Sequence, residues 1–358
     1  MTIQSGRWRL RRLLTTWRDG CRIAEGILVA VFGGLAFSWV GLPAPWLTGG
    51  IFFAAAAALV SPVASPPNWL NGASMMVLGV SVGSRITGES LANALSWPAS
   101  LFAMSVTVVG MFAGSYCLLR CVFRWDAASA FWASPPGAVG LALSMASQTD
   151  ADLVKVSMVQ LTRVIATMIL LPVTLGESSL SQAFPPIGSL WLTTVLLAGC
   201  YCVGFTAEKV GIPAGMLIGG IAGSAILLWS GFFVSASPNI MITPACVVIS
   251  ASVGSRFSGV QPNGIKRLVL PSIASMLVAV SVGFSGGLVV TQISGLPLQQ
   301  VLIAYAPGGL DALIAASILL GADSLFVAAH QIARFVLLSV FLPIAGRIHE
   351  RTTRIDVE

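Results

Sequence analysis

The fold of this chain is decided by a stretch that occurs twice. Residues 42–51 read LPAPWLTGGI and residues 212–221 read IPAGMLIGGI, an offset of 170. The tetrapeptide VGSR recurs at 82–85 and 253–256, now at an offset of 171. Further matches at 171 pair Pro136 with Pro307, Gly137 with Gly308, Asp152 with Asp323, Gln160 with Gln331, Arg163 with Arg334, and Pro172 with Pro343. A single one-residue insertion reconciles both offsets, so the chain is an internal duplication.

Composition predicts that both copies lie in a membrane. Of the 358 residues, 56% are hydrophobic and only 9% are charged, and the mean hydropathy is +0.90. Soluble domains carry about 25% charged residues, so this chain lacks the polar surface that water requires. Residues 51–60 are apolar at every position, whereas the strands of a membrane β-barrel alternate. The sequence therefore predicts an all-α polytopic membrane protein whose main partner is the lipid bilayer.

Apolar segments follow the same order in the two copies. In copy one they cover 27–41, 46–60, 74–82, 101–119, a broken segment around 135–137, and 153–175. In copy two they cover 190–205, 216–228, 240–253, 268–290, a broken segment at 301–320, and 325–345. We divide the chain into a basic cytoplasmic tail (1–22), membrane repeat one (23–176), a linker (177–189), membrane repeat two (190–346) and a cytoplasmic C-terminal tail (347–358).

Two Pro-Gly motifs interrupt corresponding segments and decide the topology. Copy one is broken at Pro135-Pro136-Gly137 and copy two at Ala306-Pro307-Gly308-Gly309. Proline removes a backbone donor and ends a helix, and glycine permits the turn that follows. If the broken segments cross the membrane, each copy has six spans and the copies are parallel. If they re-enter, each copy has five spans and the copies are inverted.

The basic residues favour the inverted arrangement. Lys155, Arg163 and Arg334 lie in or beside spans, which leaves 16 of the 19 basic residues for loops and tails. Six spans per copy place 11 of these 16 in the cytoplasm, whereas five spans place 15 there and only Arg85 outside. Cytoplasmic loops are enriched in Lys and Arg. We predict about ten transmembrane helices plus two broken or re-entrant helices, as inverted repeats in a bacterial cytoplasmic (inner) membrane, with both termini cytoplasmic.

Inverted repeats with discontinuous helices are the pattern of secondary transporters. A helix that ends inside the membrane leaves free backbone groups and a partial charge that can hold an ion. We therefore predict one solute site where the repeats meet, built around Pro136, Gly137, Pro307, Gly308 and Gly309. The alternative is that the Pro-Gly motifs only kink the helices for packing.

A polar face follows each break. It consists of Asp152, Gln160 and Arg163 in copy one and of Asp323, Gln331 and Arg334 in copy two. Residues spaced i, i+8 and i+11 share one face of a helix. An arginine in an apolar span must face a partner or a cavity. We expect both arginines and both glutamines to bind a small anionic solute, the guanidinium groups bidentately. The alternative is a structural ion pair with Asp311, Asp152 or Asp323. For Arg334, the carbonyl ends of the half-helices are further candidate acceptors.

Two residues of copy two have no counterpart in copy one. Asp311 corresponds to Gly140, and His330 corresponds to Val159. A carboxylate beside a broken helix can take a coupling proton or cation, cap the half-helix or pair with Arg334. A histidine can relay protons or can simply be hydrogen-bonded. The candidates for ion or proton coupling are Asp152, Asp311, Asp323 and His330.

Several classes of function are disfavoured. The chain has two histidines, His330 and His349, which are too few for a multi-histidine metal centre, and its six cysteines form no Cys-x-x-Cys motif. We expect no enzyme activity, no catalytic residue, no cofactor and no metal. The basic tail at 1–22 is too short for a helix-turn-helix domain, so no direct nucleic-acid contact is expected. Assembly into a homo-oligomer stays open.

Two smaller features have structural explanations. The glycine pairs at 49–50 and 219–220 allow close helix contact, which we favour over a role in a solute path. Arg85 and Arg256 end short apolar segments, where their side chains are expected to snorkel to the membrane surface.

The repeated LPAPWLTG motif at 42–49, the Pro-Gly-Gly at 307–309 and the duplication resemble the bacterial AbrB-type membrane protein family. Its members carry the labels "ammonia monooxygenase" or "regulator". The resemblance covers roughly residues 25–345, and copy one departs from it where Ala138 replaces the third turn residue, a glycine in copy two. It implies architecture and supplies no catalytic residue. We predict a secondary transporter or exporter of a small anionic solute. The alternative is a membrane sensor or regulatory protein that affects gene expression indirectly.

Overall fold

A computed structural model describes the backbone of residues 3–61, 63–175, 190–212, 214–230, 239–258 and 262–355. The predicted linker at 177–189, which includes Glu177, lies outside these ranges. The described part of the chain is helical and contains no strand, so the predicted all-α class is confirmed.

Repeat one contains eight α-helices in the described ranges: α1 (Ile3–Val40), α2 (Pro45–Val60), α3 (Asn68–Gly83), α4 (Gly88–Ala94), α5 (Trp97–Cys117), α6 (Ala127–Ala133), α7 (Val139–Ala146) and α8 (Leu153–Leu175). A short π-helical turn, Leu118–Val122, extends α5. Repeat two contains seven: α9 (Leu190–Lys209), α10 (Gly215–Trp229), α11 (Asn239–Ser255), α12 (Pro262–Ser294), α13 (Leu298–Tyr305), α14 (Leu310–Leu319) and α15 (Ser324–Ile355). Apart from the short α4, the order of helices is the same in both repeats.

Five of these helices are long and apolar enough to cross a bilayer. Their apolar parts are Gly20–Val40, Trp97–Val122, Leu153–Pro172, Arg267–Ser294 and Ser324–Ile348. A span needs about 20 apolar residues, because a helix rises 1.5 Å per residue and the hydrocarbon core is about 30 Å thick. Shorter apolar helices include Pro45–Val60, Gly215–Leu227 and Ile240–Ser255. The chain is therefore a helical membrane protein of several spans.

The broken segments are re-entrant hairpins. In the first, which we call hairpin one (127–146, helices α6 and α7), the end of the segment lies close to its beginning. The backbone N–H of Asp152, at the start of α8, donates to Ser129 Oγ at 2.8 Å. In hairpin two (298–319, helices α13 and α14), Gln299 Nε2 donates to the carbonyl of Leu320 at 2.9 Å. Each hairpin thus starts and ends at the same end of the helix bundle.

The two hairpins enter from opposite ends, as their contacts along α8 show. Hairpin one is bonded to the first half of α8, through Gln160 and Arg163. Hairpin two lies along the second half, where Thr167 Oγ1 donates to Pro307 O at 3.4 Å. Further along, Leu302 of α13 shares a cavity with Leu170. We call the end at which hairpin one enters face one and the opposite end face two. Opposed hairpins are the geometry expected of inverted repeats.

The helices of the two repeats cross reciprocally, since α2 packs on α11 and α10 packs on α3. Glycines make these crossings close. A methyl group on Gly50 would strike the side chain of Ser250, and one on Gly220 would strike the backbone of Gly79. Gly49 and Gly219 lie against Gly33 and Gly204 within their own repeats. The predicted role of the glycine pairs in close helix contact is confirmed.

Candidate solute-binding site

The tip of hairpin one begins where α6 ends at Ala133. Pro135 and Pro136 follow, and prolines have no N–H with which to continue a helical ladder. Gly137 then adopts φ +86°, a left-handed conformation that favours glycine. The second half-helix, α7, starts two residues later. The chain therefore turns back inside the protein and leaves the last carbonyls of α6 without helical partners.

Side chains of α8 bind these carbonyls. Arg163, only 1% exposed, donates from Nη1 to Pro135 O at 2.8 Å and to Ser134 O at 3.3 Å. Its Nη2 donates to Ala133 O at 3.2 Å. Gln160 Nε2 donates to the same Pro135 carbonyl at 2.9 Å. A cation thus faces the negative end of a helix dipole, which stabilises both.

Hairpin two repeats the arrangement with a further bond. Arg334, 2% exposed, donates from Nη1 to Ala306 O at 2.6 Å and from Nη2 to Gly308 O at 2.7 Å. Nη2 also makes a short contact with Gln331 Oε1. Gln331 Nε2 donates to Ala304 O at 2.9 Å. The amide of Gln331 therefore links the guanidinium to the end of α13.

The two tips meet. A methyl group on Gly137 would lie 2.7 Å from both Arg334 Nη2 and Gly308 O. The structure thus brings together Gln160, Arg163, Gln331, Arg334 and both Pro-Gly motifs, as predicted. The expectation that Pro136 and Pro307 lie at the ends of interrupted helices is confirmed.

The acceptors of the two arginines correct one alternative. A structural ion pair with an aspartate was considered, but the hydrogen bonds found for Arg163 and Arg334 among the described residues go to backbone carbonyls and to Gln331. An arginine stays protonated in proteins, so each tip keeps a formal positive charge. Helices α6 and α13 end at these tips while α7 and α14 start there, so their dipole ends largely offset one another and the charge is that of the guanidinium groups. The centre is cationic.

Asp152 and Asp323 lie away from this centre and cap helices. Asp152 Oδ1 accepts from Val154 N at 2.9 Å, and Asp323 Oδ1 accepts from Leu325 N at 3.0 Å. Eleven residues separate each aspartate from the arginine of its helix, which is about 16 Å along the axis. Capping accounts for both carboxylates.

Asp311 faces a different arginine from the one considered. It lies in the first turn of α14, and its Oδ2 is 3.9 Å from Arg256 Nη2 rather than bonded to Arg334. Both side chains are about one-third exposed, at 37% and 36%, so the pair contributes little stability. The snorkelling of Arg256 to the membrane surface stays a prediction, and its guanidinium lies beside α14.

His330 is fully buried, one helical turn before Arg334. Its Nδ1 is 2.8 Å from Phe326 O, and its Nε2 is 2.7 Å from Ser100 Oγ. Tyr305 donates its hydroxyl proton to Ser100 O at 2.5 Å. Sequence reasoning missed Ser100 and Tyr305, because single polar residues in apolar helices carry no pattern of their own.

Two cavities reach the break of hairpin two from different sides. The larger, about 320 Å³, is lined by Asn68, Asn71, Glu208, Met216, Leu310 and Asp311. The smaller, about 160 Å³, is lined by Thr167, Leu170, Thr174, Phe284, Leu302 and Pro307. The smaller lies on face two, beside α13 and the end of α8. The larger lies on face one, because α3 starts there and its far end leads to the start of α5.

Glu208 in the larger cavity was also missed by sequence reasoning. It is the single acidic residue of α9 and lies at the end of that helix, a position that could have drawn attention to it. Its neighbourhood with Asp311 arises only when α9 and α14 are placed together.

Two polar side-chain atoms of α8 beside the tip of hairpin one have no partner among the described residues. Gln160 Oε1 and Arg163 Nε are buried and make no hydrogen bond with the described residues. A buried polar atom without a partner costs about 1–3 kcal/mol, so such pairs of atoms are expected to receive a ligand or water. One is an acceptor and the other a donor, which suits a solute with both functions.

These features define a class of protein: a duplicated helical membrane protein with two opposed re-entrant hairpins that meet at a buried cationic centre. The chain belongs to the family described as "Transition state regulatory protein AbrB", whose sequence profile matches residues 4–96 and 46–350. The two matched ranges overlap, as a duplicated chain allows. The family resemblance predicted from the sequence is confirmed.

Two relatives extend over most of the chain. "Uncharacterized protein YhjN" from Bacillus subtilis (strain 168) is 25% identical over 354 residues, which is 88% of this chain and 90% of the relative. "Putative regulator AbrB" from Escherichia coli (strain K12) is 27% identical over 277 residues, or 73% of this chain and 77% of the relative.

Proposed function

We propose that this protein is a secondary transporter or exporter of a small anionic solute, which binds where the hairpin tips meet. One observation carries the proposal. Arg163 and Arg334 are buried at the same place, and the hydrogen-bond acceptors found for them are uncharged. The dipole ends at the tips leave this charge uncompensated, because α7 and α14 start where α6 and α13 end and their contributions largely offset one another. An anion neutralises this charge, whereas a cation would add to it.

Transport, rather than binding alone, is supported by the two cavities. They approach the same Pro-Gly break from opposite faces, and the short segment from Ala306 to Leu310 separates them. A site between two cavities needs only a small movement of a re-entrant hairpin to change the face to which it opens. Inverted repeats supply such movements, because each repeat can adopt the conformation of the other.

A second candidate function is a membrane sensor that affects gene expression indirectly. It is favoured by the name of one relative, "Putative regulator AbrB". A sensor would bind the same anion at the same arginines without net flux. Neither candidate requires bond-breaking chemistry, a cofactor or direct contact with nucleic acid. The partners in both cases are the bilayer and the solute, and the site as proposed lies within one chain.

The proposal includes an orientation in a bacterial inner membrane. We place face one in the cytoplasm, because Arg120 and Arg124 follow α5 there. The proposed topology puts both termini on that side. Cysteines placed at Lys266 and Glu177 in a variant without native cysteines test this orientation. Labelling of intact cells by a membrane-impermeant reagent is expected at position 177 only. Labelling at position 266 from outside would contradict the proposed topology.

Binding is tested first with a thermal-shift series on the purified full chain, with acetate, phosphate and chloride as probes. At least one probe is expected to raise the melting temperature of the wild type. Arg334→Lys keeps the positive charge but loses the planar guanidinium group that can donate two parallel hydrogen bonds. This variant is expected to stay folded and to show no rise in melting temperature with the probe. Arg120→Lys is the matched control, because Arg120 also donates to a backbone carbonyl, Trp125 O at 2.8 Å, but outside the tips.

A measurement of anion flux distinguishes the transporter from the sensor. Proteoliposomes that contain the wild type are expected to accumulate the stabilising anion, and those with Arg334→Lys are not. Binding without flux under any imposed ion gradient would favour the sensor. Normal binding by a folded Arg334→Lys variant would remove the site assignment.

A further inference from the structure

His330 belongs to a buried polar cluster that has no counterpart in repeat one. There, Val159 and Ser134 occupy the positions equivalent to His330 and Tyr305. We infer that His330 is the proton-coupling site of this protein: it takes up one proton when an anion binds at the hairpin tips. The inference rests on the proposed anion site, which begins one helical turn away at Arg334.

The hydrogen bonds around the imidazole can be completed in both of its protonation states. Phe326 O can only accept, so Nδ1 must carry a hydrogen for the 2.8 Å contact. Ser100 Oγ lies 3.0 Å from Trp97 O, another acceptor, and 2.7 Å from His330 Nε2. In the neutral imidazole, Ser100 Oγ donates its proton to Nε2. In the imidazolium, Nε2 donates to Ser100 Oγ, whose own proton then goes to Trp97 O.

One aromatic ring lies close enough to attract a cationic imidazole. The centroid of Phe326 lies 3.9 Å from that of His330, whereas those of Trp97 and Tyr305 lie at 6.3 Å each. A cation within about 6 Å of an aromatic face is attracted by the ring quadrupole, the more so when water is excluded. Complete burial opposes a charge on His330, and Phe326 offsets part of that cost.

The charges near His330 are few. Helices α5 and α13, whose residues bond to the cluster, contain no Asp, Glu, Lys or Arg, and Tyr305 is the titratable side chain that α13 presents to it. Helices α3, α6, α7 and α14 also pack on α15 and contribute one charged residue, Asp311, which faces Arg256. On α15 itself, Asp323 caps the start and Arg334 follows His330 by four residues.

Coupling follows from the spacing of His330 and Arg334. Side chains four residues apart share a helix face, with about 5–6 Å between their Cβ atoms. In the empty site, the positive charge of Arg334 opposes a second positive charge on His330. A bound anion compensates for Arg334 and so favours protonation of His330. By reciprocity, protonation of His330 tightens anion binding by the same factor. The predicted stoichiometry is one proton per anion in the same direction.

Solid-state ¹⁵N NMR of the full chain in lipid, labelled at histidine, tests the inference directly. The chain has two histidines, so the spectrum has two sites, and His330→Gln assigns them. Acetate, phosphate and chloride are added in turn to protein in a zwitterionic buffer. The probe that binds is expected to raise the titration midpoint of His330 by about one pH unit, which corresponds to about tenfold tighter anion binding to the protonated form. His349→Gln, a change at the other histidine, is expected to leave this shift intact.

Anion affinity measured against pH gives the second readout. The wild type is expected to lose up to about tenfold in affinity per pH unit between the free and bound midpoints, and His330→Gln is expected to lose this slope. Ser100→Ala keeps the imidazole but removes its Nε2 partner, so it is expected to lower the midpoint. Anion binding without a shift at His330, or with the same slope in His330→Gln, would overturn the inference and leave the anion site standing. Failure of all three probes to bind would overturn both.

Discussion

The two hairpins have the same architecture, but the polar side chains at their tips are hydrogen-bonded to different degrees. At the tip of hairpin two, Gln331 accepts from Arg334, and the guanidinium bonds both turn carbonyls at 2.6 and 2.7 Å. At the tip of hairpin one, Gln160 Oε1, the counterpart of Gln331 Oε1, makes no bond with the described residues, and neither does Arg163 Nε. Duplication therefore supplied two equivalent tips that differ in how the glutamine oxygen is bonded. The tip of hairpin one retains the polar atoms that a solute can use.

The titratable residues near the tips are also divided unequally. Asp311 and His330 belong to repeat two, where repeat one has Gly140 and Val159. Glu208, beside Asp311 in the larger cavity, is also in repeat two. An inverted-repeat protein needs structural symmetry for its movements but only one coupling site, so the chemistry can diverge while the backbone does not.

Removal of the arginines should give the largest difference between the hairpins. Arg334→Ala leaves Ala306 O, Gly308 O and Gln331 Oε1 without their donor and is expected to cost about 3–5 kcal/mol. Arg163→Ala should cost about 1–2 kcal/mol less, because two of its three bonds are longer than 3.1 Å. Unfolding in detergent by denaturant measures both. Equal losses would show that the two centres are equally satisfied.

Glycine substitutions should give the next largest effect. Gly137→Ala places a methyl group 2.7 Å from Arg334 Nη2 and Gly308 O and forces alanine into φ +86°, so a loss of about 2–4 kcal/mol and of anion binding is expected. Gly309 is the matched control, because a methyl group there meets nothing within 4 Å. Gly309→Ala should change stability by about 0.5 kcal/mol or less. Similar melting temperatures of the two variants would contradict the close approach of the tips.

The smallest effect is expected at the entrance of hairpin one. Asp126 accepts from Ser129 N at 2.7 Å and lies 2.9 Å from Lys155 Nζ, whereas hairpin two starts at Pro297, which offers no side-chain cap. Asp126→Asn keeps the cap but removes the ion pair, so it should cost at most about 1 kcal/mol. Its effect is measured as a shift in melting temperature.

This ion pair also predicts a pH dependence. Partial burial opposes ionisation of Asp126, but the hydrogen bonds from Ser129 and Lys155 outweigh it and lower the pKa below its ordinary value. A depressed carboxyl pKa stabilises the fold at pH above the unfolded value, and this contribution is lost as the pH falls through the folded value. The stability difference between wild type and Asp126→Asn should therefore be constant near neutral pH and shrink below about pH 4. A difference that grows on acidification would contradict this assignment.

Much of the site was predictable from local sequence. Helix breaks are predicted at Pro136, Gly137, Pro307 and Gly308, because proline has no N–H for a helical hydrogen bond and glycine permits a turn. Arg163 and Arg334 predict buried hydrogen-bond acceptors, because a guanidinium group stays protonated in proteins. The choice between the two kinds of candidate acceptor, aspartates and half-helix carbonyl ends, was not predictable. Carbonyls at the ends of half-helices compete with carboxylates as acceptors, and only the placement of Asp152 and Asp323 at helix starts decides between them.

The duplication, the all-α membrane class, the positions of the breaks and the arginine after each break could all be predicted from the amino-acid sequence. These features depend on composition, on spacing along one helix and on the fixed backbone properties of proline and glycine. The folded structure was needed to show that Arg334 lies beside Gly137 and that His330 lies near Ser100 and Tyr305. Such contacts join residues up to 230 positions apart, and no periodicity along the chain encodes them, because they follow from how helices of two repeats pack around each other.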